Sequence, residues 1–319
     1  TGDTSWYEPT YVTELTAEHE FGHQYWYGMV ATNEFEDAWL DEGINSYTEV
    51  KVLSAILGRN TSVLKRSYAN MGDYELQRLE YISEPEYDPV TRFAWKFRNE
   101  DSYGGVTYGK SATLLATLEG ILGTDTMDDA MRTYFLRYRF QHPTTEDFLR
   151  TIEQVAIAHD KAFATTPISS TTLANSGVIG AVASLPNPPP FNANGDADYA
   201  TAAATNSTLR PYINQAVYGT QVLDYAVDSV SSDPVQWWLP APKNKKQIQY
   251  RSTVYLHRKG SFILPVTAEI VFSDGSRVRE HWNGVDRWIK YTYIRNAKVV
   301  SAETDPDHPS PEVVKMMHD

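Results

Sequence analysis

Two histidines at helical spacing are the residues of this sequence best suited to chemistry. They belong to the run His19-Glu20-Phe21-Gly22-His23. On a helix, residues four apart are separated by about 40° around the axis, so both imidazoles would project from one face. Such a pair can bind one metal ion, with Glu20 beside an open coordination position. The alternative is a pair of histidines that packs against, or caps, a neighbouring element.

A third ligand is available on the next predicted helix. Glu42 follows His23 after eighteen residues, within the string WLDEG at 39–43. A turn after the first helix would return the chain antiparallel and set Glu42 near both histidines. The chain contains no cysteine, so a metal must be held by His, Asp or Glu. We therefore expect one Zn²⁺ per chain, bound by His19, His23 and Glu42. The alternative for Glu42 alone is an exposed acid near a helix start.

Apolar periodicity predicts the helices that must position these side chains. Five helices are expected, and their bounds are 12–27, 38–57, 108–122, 124–140 and 144–155. Gly28, Gly58 and Gly123 are placed to end the first three. A capping pattern that begins at Thr144 starts the last. Between 60 and 105 the periodicity is weak, and we interpret that stretch as shorter helices and loops.

The composition changes after the helices. Residues 158–208 are rich in Ala, Thr, Ser, Asn and Pro, which is typical of an insertion or mobile loop. Later β-prone runs are separated by Asp274-Gly275 and Asn283-Gly284, both hairpin turn signals. The sequence thus predicts an α+β fold, a mostly helical lobe followed by a small antiparallel β-sandwich. The expected divisions are a helical lobe at 1–157, the insertion at 158–208, a connector and β-domain at 209–306, and a tail at 307–319.

The net charge and the first residues of the chain argue against several classes of protein. The net charge of −13 argues against nucleic-acid binding, which needs a basic face. No segment is apolar enough to span a bilayer, and the first residues do not resemble a signal peptide. The chain does not begin with methionine, so we expect it to be processed or part of a longer polypeptide.

These motifs resemble the membrane alanyl aminopeptidase family of gluzincin zinc peptidases. That family has HExxH, eighteen residues, and then Glu within a W-L-N-E-G-like string. Asp41 stands where the family commonly has Asn. The string TYGKS at 107–111 resembles the family's Tyr-x-Lys-Gly segment, with Ser111 in place of the usual Gly. The resemblance covers Thr13–Val155 and, more loosely, Leu209–Pro306.

The resemblance implies a thermolysin-like helical lobe that hydrolyses peptide bonds by metal-activated water, as an aminopeptidase when complete. It also suggests an extracytoplasmic location, periplasmic or secreted. Glu20 would take the proton of the water, a role that its position beside the metal also supports. Tyr108 would donate a hydrogen bond to the oxyanion, which a phenol at the start of a helix could do. The alternative is a tyrosine that only packs.

Glu49 lies seven residues after Glu42, on nearly the same helix face. A carboxylate there can accept the free N–H of a zinc-bound histidine, and the resemblance favours this role. The alternative is a solvated helix acid. The remaining histidines stand in no ligand spacing, and we interpret them as structural or exposed: His142, His159, His257, His281, His308 and His318.

One family motif is absent from this sequence. The Gly-x-Met-Glu-Asn string that precedes HExxH in the family does not occur before His19. The resemblance implies that a missing N-terminal part of the polypeptide packs on the catalytic lobe. We therefore expect this chain alone to bind zinc but to cleave aminoacyl amides poorly or not at all. Two alternatives stay open, a zinc hydrolase of a non-peptide substrate such as an epoxide and a non-catalytic zinc-binding remnant.

Overall fold

The chain forms two compact units, Thr1–Thr220 and Gln221–Asp319. The structure is a computed structural model that describes residues 10–66, 69–83, 88–159, 209–235, 248–304 and Pro306. The first unit is helical and the second consists of antiparallel sheets, which confirms the predicted fold class. The expected insertion, beyond His159, and the expected tail lie outside the described residues. Residues 209–220, expected as a connector to the β-domain, belong to the first unit.

The first unit contains eight described α-helices. They are α1 (Val12–Gly22), α2 (Ala38–Leu57), α3 (Asp73–Ser83), α4 (Glu100–Gly104), α5 (Ser111–Leu122), α6 (Thr124–Tyr138), α7 (Thr145–Ala158) and α8 (Arg210–Ala216). A π-helical turn, Gly105–Lys110, joins α4 to α5, and a 3₁₀ turn covers Ala94–Lys96. Two short strands, β1 (Leu64–Lys65) and β2 (Asn70–Met71), pair antiparallel. Tyr212 on α8 donates a hydrogen bond to Leu114 O at 2.9 Å, which ties α8 to α5.

Helix α2 lies at the centre of this unit. Its bounds agree with the prediction, and most of its first sixteen residues are buried, with Trp39 and Ile44 fully so. Gly43 lets α2 approach the π-helical turn closely. A Cβ at this position would collide with the Ser111 side chain and lie 2.8 Å from Thr107 O. Glycine is therefore needed at 43, because it brings Glu42 and the turn that carries Tyr108 together.

The prediction for the end of α1 is wrong. The helix ends at Gly22, not Tyr27, because the chain tightens there into consecutive turns. Gln24 N donates to Phe21 O at 3.0 Å and Tyr25 N donates to Gly22 O at 2.9 Å, both bonds between residues only three apart. The buried Trp26 indole then donates to Thr48 Oγ1 at 2.9 Å. Tyr27 has a φ of 109°, outside the helical region. His23 nevertheless keeps helical dihedral angles, so its spacing from the preceding turn of helix is preserved.

The predicted start of the third helix is also wrong. Helical backbone begins at Glu100, where the Asn99 side chain accepts a hydrogen bond from Ser102 N at 2.7 Å. Tyr108 therefore lies inside the π-helical turn and does not open a helix. The extra residue of a π turn shifts the phase of the side chains, which hides the helix from a search at 3.6-residue periodicity.

The second unit is a β-sandwich of two three-stranded antiparallel sheets. Its strands are β3 (Tyr225–Pro234), β4 (Tyr250–Arg258), β5 (Val266–Phe272), β6 (Arg277–Trp282), β7 (Trp288–Arg295) and β8 (Val299–Thr304). The sheet orders are β3-β4-β7 and β6-β5-β8. Contacts between their inner faces include the Tyr225 and Trp282 rings, 5.2 Å apart, and the Phe272 and Tyr293 rings, 5.3 Å apart.

One of the two predicted hairpins is present in the sandwich. Asp274-Gly275 joins β5 to β6, which pair antiparallel as expected. Asn283-Gly284 does not join a hairpin, because β6 and β7 belong to different sheets. Gly284 does have a positive φ of 71°, and its carbonyl accepts a hydrogen bond from buried Arg258 Nε at 2.8 Å. The predicted turn therefore forms, but it connects one sheet of the sandwich to the other and does not close a hairpin.

A buried hydrogen-bonded chain joins the starts of α2 and α7 and provides a stability test. Trp39 Nε1 donates to Thr145 Oγ1 at 2.7 Å, and Thr145 Oγ1 donates to Asp37 Oδ1 at 2.5 Å. Thr145→Val is expected to lower the free energy of unfolding by about 1–3 kcal/mol, because the buried indole N–H loses its acceptor. Thr145→Ser, which keeps the hydroxyl, is the matched control. Denaturant unfolding checks this, and equal losses in both variants would contradict it.

Candidate metal centre

The two histidines of the HExxH run converge on one carboxylate oxygen. His19 Nε2 lies 3.1 Å from Glu42 Oε2, and His23 Nε2 lies 3.3 Å from the same atom. The imidazole rings are 4.9 Å apart and nearly perpendicular. Donor atoms of these three side chains all lie within 4.8 Å of one another, so the three could hold one metal ion. Helices α1 and α2 run antiparallel here, since residues 19 and 23 meet 49 and 41 in reverse order.

The opposite nitrogen of each ring contacts a second carboxylate. His19 Nδ1 lies 2.8 Å from Glu49 Oε2, and His23 Nδ1 lies 2.7 Å from Asp41 Oδ1. Both of these acids are buried. A proton on each Nδ1 would then be donated outward, which leaves each Nε2 lone pair directed at the convergence point. Neither ring is able to rotate without breaking one of these bonds.

Hydrogen bonds within the cluster offset the effect of burial on the pKa values of His19 and Glu42. Burial alone would lower the pKa of His19, but its hydrogen bonds with Glu42 and Glu49 raise that pKa to about 10. Burial likewise opposes ionisation of Glu42, yet hydrogen bonds with His19 and Tyr108 lower its pKa below the ordinary value. These contacts favour a protonated His19 beside an ionised Glu42 when no metal is bound, and metal binding would displace that proton.

The donor set fits zinc. Two imidazole nitrogens and one carboxylate oxygen are a ligand set of catalytic zinc sites, which keep a fourth position open. The carboxylates on the far sides of both rings match the partners that zinc-ligating histidines normally have. Both the chemical types of these side chains and their convergence are therefore compatible with a zinc site.

The structure brings the other predicted site residues to the same cluster or its edge. Tyr108 hydrogen-bonds to Glu42, and its ring stacks near the His19 ring with centroids 5.8 Å apart. Burial and the contact with Glu42 raise the pKa of Tyr108, so its phenol stays a donor at neutral pH. Glu20 is exposed on α1, directly after His19. Glu49 is not a solvated acid, because only 1% of its side chain is exposed.

Two further residues of the site were not predicted from the sequence. Asp41, noted only as a departure from the family string, contacts His23 Nδ1. Asn45 Nδ2 donates to His19 O at 2.7 Å and so joins the backbone of α1 to α2. Both residues lie close to Glu42 in the same helix, and this proximity is the feature of the sequence from which they could have been predicted. Side chains one turn apart on a ligand-bearing helix can reach the helix that carries the other ligands.

Comparison with known proteins places this site within a family. Residues 4–168, about half of the chain, match the Peptidase family M1 domain. The chain belongs to peptidase family M1. The matched region contains all of the converging residues described above, and the M1 assignment confirms the resemblance found in the sequence.

Similarity to individual M1 relatives is modest. The chain is 27% identical over 148 residues to leucine aminopeptidase 2-2 of Meyerozyma guilliermondii, covering 42% of this chain and 23% of the relative. It is 27% identical over 143 residues to mouse aminopeptidase B, covering 41% and 20%. It is 25% identical over 147 residues to aminopeptidase N of Streptomyces lividans, covering 46% and 17%. The aligned part of this chain thus spans about a fifth of the length of these relatives.

The fold has a counterpart among solved structures. Aminopeptidase A of Legionella pneumophila, solved with aspartic acid, matches 93% of this chain with a TM-score of 0.52 and 13% identity. The chain covers 26% of that structure. At this identity the likeness concerns the fold alone.

Within the part of the chain that the structure describes, no helix is long and apolar enough to cross a membrane.

Proposed function

We propose that this chain carries the catalytic metal centre of a zinc aminopeptidase, with peptides as substrates. His19, His23 and Glu42 would hold one Zn²⁺ ion. Glu20 would be the general base, Tyr108 the oxyanion donor, and Glu49 the acceptor that orients His19. The observation that supports this best is the approach of both Nε2 atoms to Glu42 Oε2, at 3.1 and 3.3 Å.

The roles of the protein groups follow from their positions. When bound, zinc would polarise the substrate carbonyl and make a water molecule more acidic. Glu20 is exposed beside His19, so its carboxylate can accept the proton of the attacking water and later deliver it to the leaving amine. Tyr108 would turn its O–H from Glu42 to the oxygen that becomes negative in the tetrahedral intermediate. Glu49 and Asp41 would keep the two imidazoles in their orientation throughout.

The direct test is hydrolysis of alanyl and leucyl p-nitroanilides by the natural gene product. We expect activity that a chelator removes and that one equivalent of zinc restores. A zinc-containing product that cleaves an epoxide or ester but no aminoacyl amide would favour the non-peptide alternative. Zinc binding without any hydrolysis would favour the non-catalytic one. An extracytoplasmic location stays a prediction, which cell fractionation of the source organism would check.

Tyr108→Phe is expected to lower kcat while leaving KM and zinc content nearly unchanged. The phenol would stabilise charge that exists only in the transition state, so its loss should cost about 3–4 kcal/mol, or about 10²–10³-fold in kcat. Steady-state kinetics on a leucyl amide, with zinc measured on the same samples, checks this. A rise in KM at constant kcat would instead assign Tyr108 to substrate binding.

A further inference from the structure

The turn that carries Tyr108 ends in a buried lysine. Lys110 is the last residue of the π-helical turn Gly105–Lys110, and only 3% of its surface is exposed. Its Nζ donates a hydrogen bond to Gly219 O at 3.0 Å and lies 6.0 Å from the centre of the Tyr81 ring. Among the described residues, no carboxylate forms an ion pair with this ammonium group. A backbone carbonyl distant in sequence is therefore its direct partner.

Keeping this ammonium group out of water is costly. Burial lowers the pKa of Lys110 to about 8, although the negative charge of Asp88 offsets part of that effect. A carbonyl oxygen and an aromatic ring compensate a buried cation less completely than a carboxylate does. An apolar side chain of similar length would fill the same space without this cost. Packing alone therefore does not explain why a lysine stands at this position.

The acceptor lies in a segment that is fixed to the helical unit. Segment 209–220 lies beyond residue 168, where the match to the M1 domain ends. Helix α8 within it is tied to α5, and Val217 is fully buried. The Tyr218 hydroxyl, next to Gly219, donates to Glu146 Oε2 on α7 at 2.9 Å. The carbonyl that accepts from the ammonium group is thus held in place by hydrogen bonds to two other helices.

The π-helical turn depends on support from its surroundings, because this conformation is rare in proteins. Helix α3 presses closely against one side of the turn, since a Cβ at Gly109 would lie 2.5 Å from Gln77 O. Helix α2 approaches the turn at Gly43. These steric contacts prevent movement towards either helix, but they restrain movement away from the helices only weakly. The hydrogen bond of Lys110 adds a directional, attractive restraint.

We propose that Lys110 is a positioning residue for Tyr108, and that its bond to Gly219 O holds the π-helical turn so that the phenol stays beside the metal centre. The proposal rests on the function proposed above, in which Tyr108 donates to the oxyanion. Tyr108 stands two residues before Lys110, and its ring lies 5.8 Å from the His19 ring. Lys110 is not among the three converging side chains, so it acts only through the turn. A catalytic group displaced by about 1 Å can lose about 100-fold in rate.

Lys110→Met removes the ammonium group and keeps a similar length and volume. The variant leaves Gly219 O without its donor but introduces no bulk into the buried site. Lys51→Met is the matched control, because it makes the same substitution at a partly buried lysine of the same unit. Lys51 forms ion pairs with Glu119 at 3.0 Å and with Asp128 at 2.5 Å. The control thus measures a general loss of stability without releasing the turn.

Amide hydrogen exchange of residues 105–110, followed by mass spectrometry on the natural gene product, reports the turn independently of any reaction. Lys110→Met is expected to speed exchange of this segment at least about tenfold, because states in which the turn is locally open become more populated. Lys51→Met should change it less than about threefold. If Lys110→Met does not fold, Lys110→Gln, whose reach is shorter by one atom, should show the same effect at a smaller size.

Kinetics of the natural gene product tests whether the turn serves Tyr108. Lys110→Met is expected to lower kcat for a leucyl amide about 10–100-fold, with KM and zinc content within about threefold of wild type. Lys51→Met should keep kcat within about threefold. Tyr108→Phe already removes the group that Lys110 positions, so adding Lys110→Met to it should cause no further loss of kcat.

The proposal is overturned if Lys110→Met leaves exchange of residues 105–110 unchanged, or if its loss of kcat adds to that of Tyr108→Phe. A higher KM at constant kcat would also contradict it, because the turn would then serve substrate binding. Absence of aminoacyl amide hydrolysis in the wild type would instead refute the proposed function. The exchange measurement would still decide whether Lys110 holds the turn, so the two failures can be distinguished.

Discussion

Replacing His23 with alanine is expected to weaken zinc binding by more than about 100-fold. Loss of an outer partner of a ligating histidine costs about 10–100-fold, and loss of the ligand itself should cost more. His23 contributes one of the two nitrogens that approach Glu42 Oε2, at 3.3 Å. The remaining two side chains would leave zinc with too few protein ligands for a stable site. Chelator competition and elemental analysis of the purified variant check this.

Gln24→Ala is the matched control for this variant. Gln24 is the next residue along the chain, and its side chain is exposed. It should bind zinc as the wild type does. An equal zinc content in the wild type, His23→Ala and Gln24→Ala would show that the metal is bound elsewhere.

Replacing Glu20 with glutamine is expected to lower kcat of the natural gene product by about 10²–10⁴-fold. The amide has nearly the same shape as the carboxylate but cannot accept the proton of the attacking water. Zinc affinity should stay close to that of the wild type, because Glu20 is not among the three converging side chains. Hydrolysis of a leucyl amide and zinc content, measured on one preparation, separate the two effects.

An exposed acid on the same helix provides the control for Glu20. Glu14 lies in the first turn of α1, and Glu14→Gln removes the same charge away from the cluster. This variant should keep wild-type activity. If Glu20→Gln also kept normal turnover, another group of the protein would have to be the base.

The core of the site follows from the sequence because it depends on short-range spacing. His19 and His23 share a face through helix geometry alone, and a single antiparallel return brings Glu42 to them. The position of Glu49, two turns further along α2, follows from the same geometry. All four meet in the structure, with contacts of 2.8–3.3 Å. The chemistry inferred from them remains the subject of the tests above.

Other parts of the site depend on contacts distant in sequence. Tyr108 was identified through its resemblance to a family string, but its place inside a π-helical turn was not expected, because such a turn breaks the 3.6-residue periodicity. The close approach at Gly43 is likewise visible only once the neighbouring helix is in place.

In the β-domain, too, contacts between residues distant in sequence limit what the sequence alone predicts. Strand β4 alternates between more and less buried residues, a pattern that a search at period two detects, whereas the largely exposed strand β3 lacks it. Strand β8 pairs with β5, its partner more than twenty residues away, and this contact decides its conformation more than its own composition does. Asn283-Gly284 has the composition of a hairpin turn, yet the pairing of β6 with β5 and of β7 with β4 places it between sheets.

The most direct test of the zinc site is an anomalous difference map from crystals of the chain, recorded at the zinc absorption edge. We predict one strong peak per chain, about 2.0–2.2 Å from His19 Nε2, His23 Nε2 and a Glu42 carboxylate oxygen. His19 Nδ1 and His23 Nδ1 should still contact Glu49 and Asp41. A zinc-containing crystal without a peak at these three side chains, or with its peak bound by other residues, would contradict the account.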